Sequence, residues 1–173
     1  MRYLASLLAI LVLTACQEEE AKAPPPPVEL TRTALSFFCQ MNIAEHGGPK
    51  GQVPLEGYPA PLFFAQVRDL IAYLKSPERE AVITAVYVSD MGVASNWQYP
   101  GTDNWILASD ALFVIGANVA GGMGAPEIVP FGSAEAAAPF LSRFGGTLLP
   151  IAEIPDDAAL GPVDLSQLLE TPS

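Results

Sequence analysis

The chain has 173 residues, a formal net charge of −11 and 50% hydrophobic residues. That length suits one ordinary domain or two small ones. So acidic a surface argues against nucleic acid and against docking on anionic head groups, both of which demand basic patches. It suits a soluble body, or one that meets a basic patch on a partner.

The N-terminus reads as an export leader. Arg2 supplies the positive start, and Leu4 to Leu13 form an apolar stretch too short for a membrane span, which needs about 20 residues. The stretch closes on Leu13-Thr14-Ala15-Cys16, a sequence that resembles the bacterial lipobox. Residues 1–15 are thus expected to be a lipoprotein signal peptide, with Cys16 the lipidated N-terminus and anchor of a periplasmic protein. Gln17 in place of aspartate favours the outer membrane. Residues 16–30 carry three consecutive glutamates and four consecutive prolines and read as a semi-rigid tether that holds the body away from the membrane.

Two short extended segments are expected at Gln52–Leu55 and Ala60–Phe64. A helix follows, on the stripe Phe64, Val67, Ile71 and Leu74, with Arg68, Asp69 and Lys75 off it, ending at Ser76-Pro77. Ala81 to Val88 is dense in β-branched and aromatic residues and predicts a buried strand. Trp105–Gly116 and Glu127–Phe131 predict further strands. A second helix carries Ala137, Phe140, Leu141 and Phe144, with Ser133 as its cap and Gly145-Gly146 at its end. Pro139 within it should cost a hydrogen bond. Thr147–Ile154 predicts a last strand.

A shift of 67 residues lays Phe64 over Phe131, Tyr73 over Phe140 and Leu74 over Leu141. The expected fold is therefore α+β, two small tandem ββαβ units. Residues 31–92 form the first unit and 93–157 the second. Residues 158–173 form a mobile tail, although Val163, Leu165 and Leu168 could dock on the body. Trp97 and Trp105 bracket a loop and belong to the edge of the core.

With Cys16 acylated, Cys39 has no partner in the chain. An unpaired cysteine in an exported protein points to a functional thiol or to intermolecular pairing. Met41 is two residues away, so in an extended segment thiolate and thioether would share a face. Soft sulfur donors of this kind select Cu(I). His46 follows on a glycine-rich turn that can bring its imidazole near, and Met123, flanked by glycines, is a further sulfur.

Other readings stand beside this one. Zinc would take Cys39, His46 and Glu45 but come up one ligand short. A blue-copper site needs two histidines, and the chain has one. A Cys39/His46 nucleophile pair is also compatible with the spacing, since a thiolate beside imidazole is an activated nucleophile. In the plainest reading Cys39 and Met41 fill the core, His46 sits on a surface turn and Met123 on an exposed loop. The glycine-rich "GGPKGQ" lacks the spacing of a phosphate loop.

The lipobox, the C-x-M of Cys39 and Met41, "HGGPKGQ", "DALFVIG", "GGMGAPEIVPF" and a closing "FGG" together resemble the NosL family over most of the body, from Cys39 to about Ile154. The resemblance implies a periplasm-facing Cu(I) chaperone, not an enzyme. It implies delivery of copper for the copper-sulfide centre of nitrous oxide reductase, with the reductase and its ABC transporter complex as partners. It implies a fold of paired ββαβ units related to part of organomercurial lyase. By position, the C-x-M ligands fall on Cys39 and Met41, the family histidine on His46, and the methionine of the M-G segment on Met123. Two other functions remain: a thiol enzyme akin to organomercurial lyase, and a tethered adaptor that docks on the reductase or transporter. Because thiolate is the binding form, metal affinity should fall with acidity.

Overall fold

A computed structural model describes residues 23–79, 81–164 and 169–172. The leader, Cys16, Gln17, Leu165 and Leu168 lie outside the described residues. Strands β1 (Gly51–Val53) and β2 (Leu62–Phe64) precede helix α1 (Val67–Lys75) and strand β3 (Tyr87–Val88). Strand β4 (Ile106–Leu107) then leads into β5 (Leu112–Ile115), β6 (Val129–Phe131), helix α2 (Ala134–Phe144), β7 (Thr147–Pro150) and a short helix α3 (Asp156–Leu160). The strands form two antiparallel sheets, ordered β2-β1-β3-β4 and β6-β5-β7. The ββαβ order occurs twice along the chain, as β1-β2-α1-β3 and as β5-β6-α2-β7, with β4 added to the first sheet. The 67-residue shift carries the first residue of α1, Val67, onto that of α2, Ala134.

Several segments differ from expectation. Trp105–Gly116 is two strands, not one: the chain turns at Ala108–Asp110, and β4 closes the first sheet while β5 opens the second. Ala108 and Ala111, on either side of the exposed Ser109-Asp110, are buried, and their small side chains let the chain change sheets against the core. Ala81–Val88 pairs regularly only at Tyr87–Val88, with a single bridge from Ile83 to Leu55 upstream. Thr147–Ile154 leaves the sheet after Pro150 and winds into a 3-10 turn at Ile151–Glu153. Pro139 is accommodated because it and Glu135, whose carbonyl it leaves unbonded, lie on the exposed face of α2. Ser133 caps α2 through Ala136 N–H, and Gly145 ends it at φ 72°, a value that suits glycine.

Alternation along β5 unites the units. Phe113 faces a core shared with Val53, Phe64, Leu70 and Val88, whereas Val114 faces Phe131, Ala137 and Phe144 beneath α2; neighbouring strand residues point to opposite faces. The first helix packs directly on β1: a side chain at Gly51 would run into Leu70. Arg68 is buried rather than off the apolar stripe, and its guanidinium donates to Ala158 O at 2.9 Å and Gly161 O at 2.7 Å, holding α3. The tail also returns to the body, since Glu170 forms a parallel bridge with Val119.

The proline-rich segment is not free over its whole length. Tyr87 Oη donates to Pro25 O at 2.7 Å. The buried Gln52 amide accepts Val28 N–H and donates to Val28 O, both at 2.9 Å. Leu30 N–H bonds Thr102 O, and its side chain is buried with Ala34, Ile43 and Ala65. One glutamine side chain thus replaces a strand neighbour, and contacts hold the segment to the body from Pro25 onward. Gln52→Leu should release Val28, costing roughly 1–3 kcal/mol for two hydrogen bonds. The check is amide exchange at Val28 together with a urea melt; unchanged protection would show that Gln52 does not hold the segment.

Candidate metal centre

Cys39 and Met41 lie in a closed loop, not an extended segment. An antiparallel bridge joins Leu35 to Asn42, and inside it Ser36 N–H bonds Met41 O while Gln40 N–H bonds Ser36 O, each at 2.9 Å. Gln40 takes a left-handed φ of 56°, and its own amide secures the turn through Phe37 O at 2.7 Å. The pleat that would align residues two apart is therefore broken between the two sulfurs. A tight turn holds them instead, with Cys39 half-buried and Met41 44% exposed.

The loop is fixed to the body on two sides. Phe37 N–H bonds Phe63 O at 2.7 Å, and Ser36 Oγ accepts Ala65 N–H at 3.3 Å. The rings of Phe37 and Phe38 pack on Phe64 and Tyr73, with centroids 5.6–6.5 Å apart. A rigid aromatic base thus carries Cys39, while Leu35, Phe38 and Met41 leave apolar surface exposed around it.

His46 ends a 3-10 turn, Ile43–Glu45, that Asn42 caps. Its Nδ1 lies 3.1 Å from Gly122 O. A carbonyl only accepts, so Nδ1 carries the proton and Nε2 the lone pair. Nε2 is buried and has no hydrogen-bond partner. Ring N–H to a backbone carbonyl with the other nitrogen bare is the arrangement that orients a metal-binding imidazole.

Met123 follows Gly122 directly and is 38% exposed. Its N–H bonds the buried Gln66 Oε1 at 2.9 Å. The structure therefore joins His46 to the Met123 loop, and it anchors the Cys39/Met41 loop and the Met123 loop to one stretch, Phe63–Gln66. Gly122 permits the junction: a Cβ there would stand 2.7 Å from both His46 Cβ and Gly47 O. Gly122→Ala should displace the imidazole and destabilise by about 1–3 kcal/mol through overpacking. Thermal unfolding and the His46 ring resonances test this, and an undisturbed ring would refute it.

Two buried polar groups beneath these loops, Lys50 and Glu127, escaped the sequence reading. Lys50 Nζ donates to Gly47 O at 2.9 Å and Ala65 O at 3.2 Å. Glu127 Oε1 accepts Arg68 N–H at 3.0 Å and Ile128 N–H at 2.9 Å, capping α1 from outside, because Gln66 makes no side-chain cap of its own. Glu127 Oε2 is buried without a partner. Burial pushes the Glu127 carboxyl up to about 8, offset in part by its two N–H donors and by Lys50, and burial pulls the Lys50 ammonium down to about 8 against the attraction of Glu127. The only sequence trace of these groups is polarity inside apolar or glycine-rich runs, "GGPKGQ" and "APEIVPF".

No group of three or more His, Cys, Asp or Glu among the described residues is arranged to hold a metal, so a zinc-type donor set is not found there. Glu45 is exposed. A cleft of about 600 Å³ between the docked N-terminal segment and Pro54–Pro61 is lined by none of the four candidate ligands. What the loops offer is one thiol, two thioethers and one bare imidazole nitrogen.

A family model described as NosL matches residues 27–159. The copper-binding lipoprotein NosL of Achromobacter cycloclastes is 48% identical over 165 residues, covering 95% of this chain and 85% of that protein. The protein of the same name from Stutzerimonas stutzeri is 32% identical over 160 residues, covering 90% of this chain and 81% of that one. Among solved structures, the crystal structure of the copper chaperone NosL from Shewanella denitrificans superposes with a TM-score of 0.69 at 32% identity, covering 76% of this chain and 97% of that one.

Proposed function

The chain belongs to the NosL family, and on that premise we propose that it is a Cu(I) chaperone. It carries copper for the copper-sulfide centre of nitrous oxide reductase, acts beside the reductase and its ABC transporter complex, and is held at a periplasmic membrane face by lipid on Cys16. The observation that carries the reading is His46: an imidazole with Nδ1 committed to Gly122 O and Nε2 bare, on loops that also bear sulfur donors.

In this reading Cys39 thiolate and the exposed Met41 thioether take the ion first. His46 Nε2 and Met123 then close on it. Two to four soft donors suit Cu(I), and thioether and thiolate together favour it over harder ions. An ion held by so few ligands stays open to a partner's thiolate or imidazole, so copper moves by ligand exchange without change of oxidation state. Neither sulfur methionine is deeply buried, which leaves the attacking ligand a path. The aromatic base of Phe37, Phe38, Phe64 and Tyr73 keeps the thiol in place while partners exchange.

A thiol enzyme of the organomercurial-lyase type gains no support from the site, since Cys39 is the one cysteine among the described residues and that chemistry uses more than one thiol. The test is an anaerobic titration of the protein with Cu(I) against a chromogenic chelator, with His46→Ala alongside. One tightly bound ion, and weaker binding with fewer nitrogen ligands in His46→Ala, is the expected outcome. A protein that cannot compete for Cu(I) would leave the tethered adaptor as the better reading.

A further inference from the structure

His46 ends the Ile43–Glu45 turn, and Gly47 and Gly48 follow it, residues of high backbone freedom. Left to themselves they would let the imidazole wander from Gly122. Two contacts prevent it. Gly48 N–H bonds Trp97 O at 2.7 Å, and Gly47 O accepts the Lys50 ammonium at 2.9 Å. The same ammonium reaches Ala65 O at 3.2 Å, one residue before Gln66, which holds Met123 N–H.

Lys50 is 2% exposed, an unfavourable place for an ammonium. Glu127, the acid whose attraction acts on it, makes no ion-pair contact with it: the one ion pair within contact distance among the described residues is Lys75–Asp156. Burial of Lys50 therefore gains little from pairing. What it does achieve is a clamp across two loops. Fork-like donation to two carbonyls joins the segment after His46 to the segment before Gln66, and Gln66 in turn holds the Met123 loop through Met123 N–H.

We propose that Lys50 is a positioning residue of the metal centre, whose buried side chain fixes the His46 imidazole against Gly122 and ties that loop to the Met123 anchor at the end of β2. The inference rests on His46 being a copper ligand, and the test keeps the two apart. The single histidine of the chain makes its ring nitrogens directly readable by long-range ¹H–¹⁵N correlation in the copper-free protein. Wild type should show a protonated Nδ1 and a bare Nε2.

Lys50→Met keeps the length and apolar stem but removes both donors. Its ring signals should move to the averaged tautomers of a free imidazole. Cu(I) affinity should fall by about 10–100-fold, the usual cost of losing a supporting contact, while thiolate-to-copper absorption persists. Lys50→Arg, which restores a donor fork, should recover the wild-type ring signals. Should Lys50→Met fail to fold, Lys50→Gln reads the same signals with a shorter, neutral side chain. Wild-type ring signals in a folded Lys50→Met or Lys50→Gln would overturn the proposal. If instead His46→Ala leaves the copper spectrum of the wild type unchanged, the ligand reading falls, and the ring signals of the copper-free protein still decide the role of Lys50.

Discussion

Cys39→Ser should abolish Cu(I) binding. Serine keeps the size of the side chain but offers a hard, protonated hydroxyl in place of a thiolate, and soft donors are what hold Cu(I). The loss should exceed the roughly 100-fold that a missing supporting contact costs, because the bond to the metal itself is removed. Fold and stability should change little, since the Leu35–Asn42 bridge, the Gln40 turn and the Phe37 and Phe38 rings hold the loop without the sulfur. Met41→Leu should give a smaller loss, for the residue is 44% exposed and supplies only a neutral thioether. Anaerobic chelator competition with matched circular dichroism reads both variants. Tight one-to-one binding that survives Cys39→Ser would dismiss the thiolate as the principal ligand.

Glu127 should make the protein less stable as pH rises from 4.5 towards 8. Burial raises its folded carboxyl from the ordinary 4.5 to about 8. Between those values the folded chain holds a proton that the unfolded chain has released, so stability falls with rising pH. Each pH unit is worth about 1.4 kcal/mol at full effect, for a total on the order of 5 kcal/mol across the window. Lys50, lowered from 10.5 to about 8, acts in the opposite sense at higher pH: there the unfolded chain keeps the extra proton and stability recovers. Glu127→Gln keeps an oxygen for Arg68 N–H and Ile128 N–H and should flatten the decline. Urea melts of wild type and variant at pH 5 and pH 7 decide it; parallel slopes would mean that the carboxyl is not held neutral by burial.

The features legible in the sequence were those set by local pattern. Val67, Ile71 and the Ser76-Pro77 stop define α1, and Ser133 with Gly145 defines α2, because helix periodicity and caps act within a few residues. The doubled ββαβ order followed from the 67-residue repeat of those same patterns. Strand bounds were less legible: Ala81–Val88 and Trp105–Gly116 are apolar enough for long strands, but pairing partners decide where a strand stops, and Leu112–Ile115 pairs with Val129–Phe131 and Thr147–Pro150 rather than continuing from β4. Neither local propensity nor alternation carries that choice.

The sequence by itself determined which soft donors are present and that Cys39, spaced two from Met41, has no disulfide partner once Cys16 is set aside. It determined, too, the acidic charge and the family pattern around "HGGPKGQ" and "GGMGAPE". Only the tertiary structure decided how those donors are held. It turned Cys39-Gln40-Met41 into a closed loop through a left-handed Gln40, docked Pro25–Leu30 through Gln52, and laid Gly122 O against His46 Nδ1 across a sequence distance of 76 residues. It also placed Lys50 and Glu127 out of solvent beneath the loops. The Cys39 loop closes locally, between Ser36 and Met41, but through a left-handed Gln40 that no spacing rule signals. The docked segment, the His46 contact and the two buried side chains each depend on a hydrogen bond or a burial whose partner lies farther along the chain, where no local rule of spacing or composition reaches.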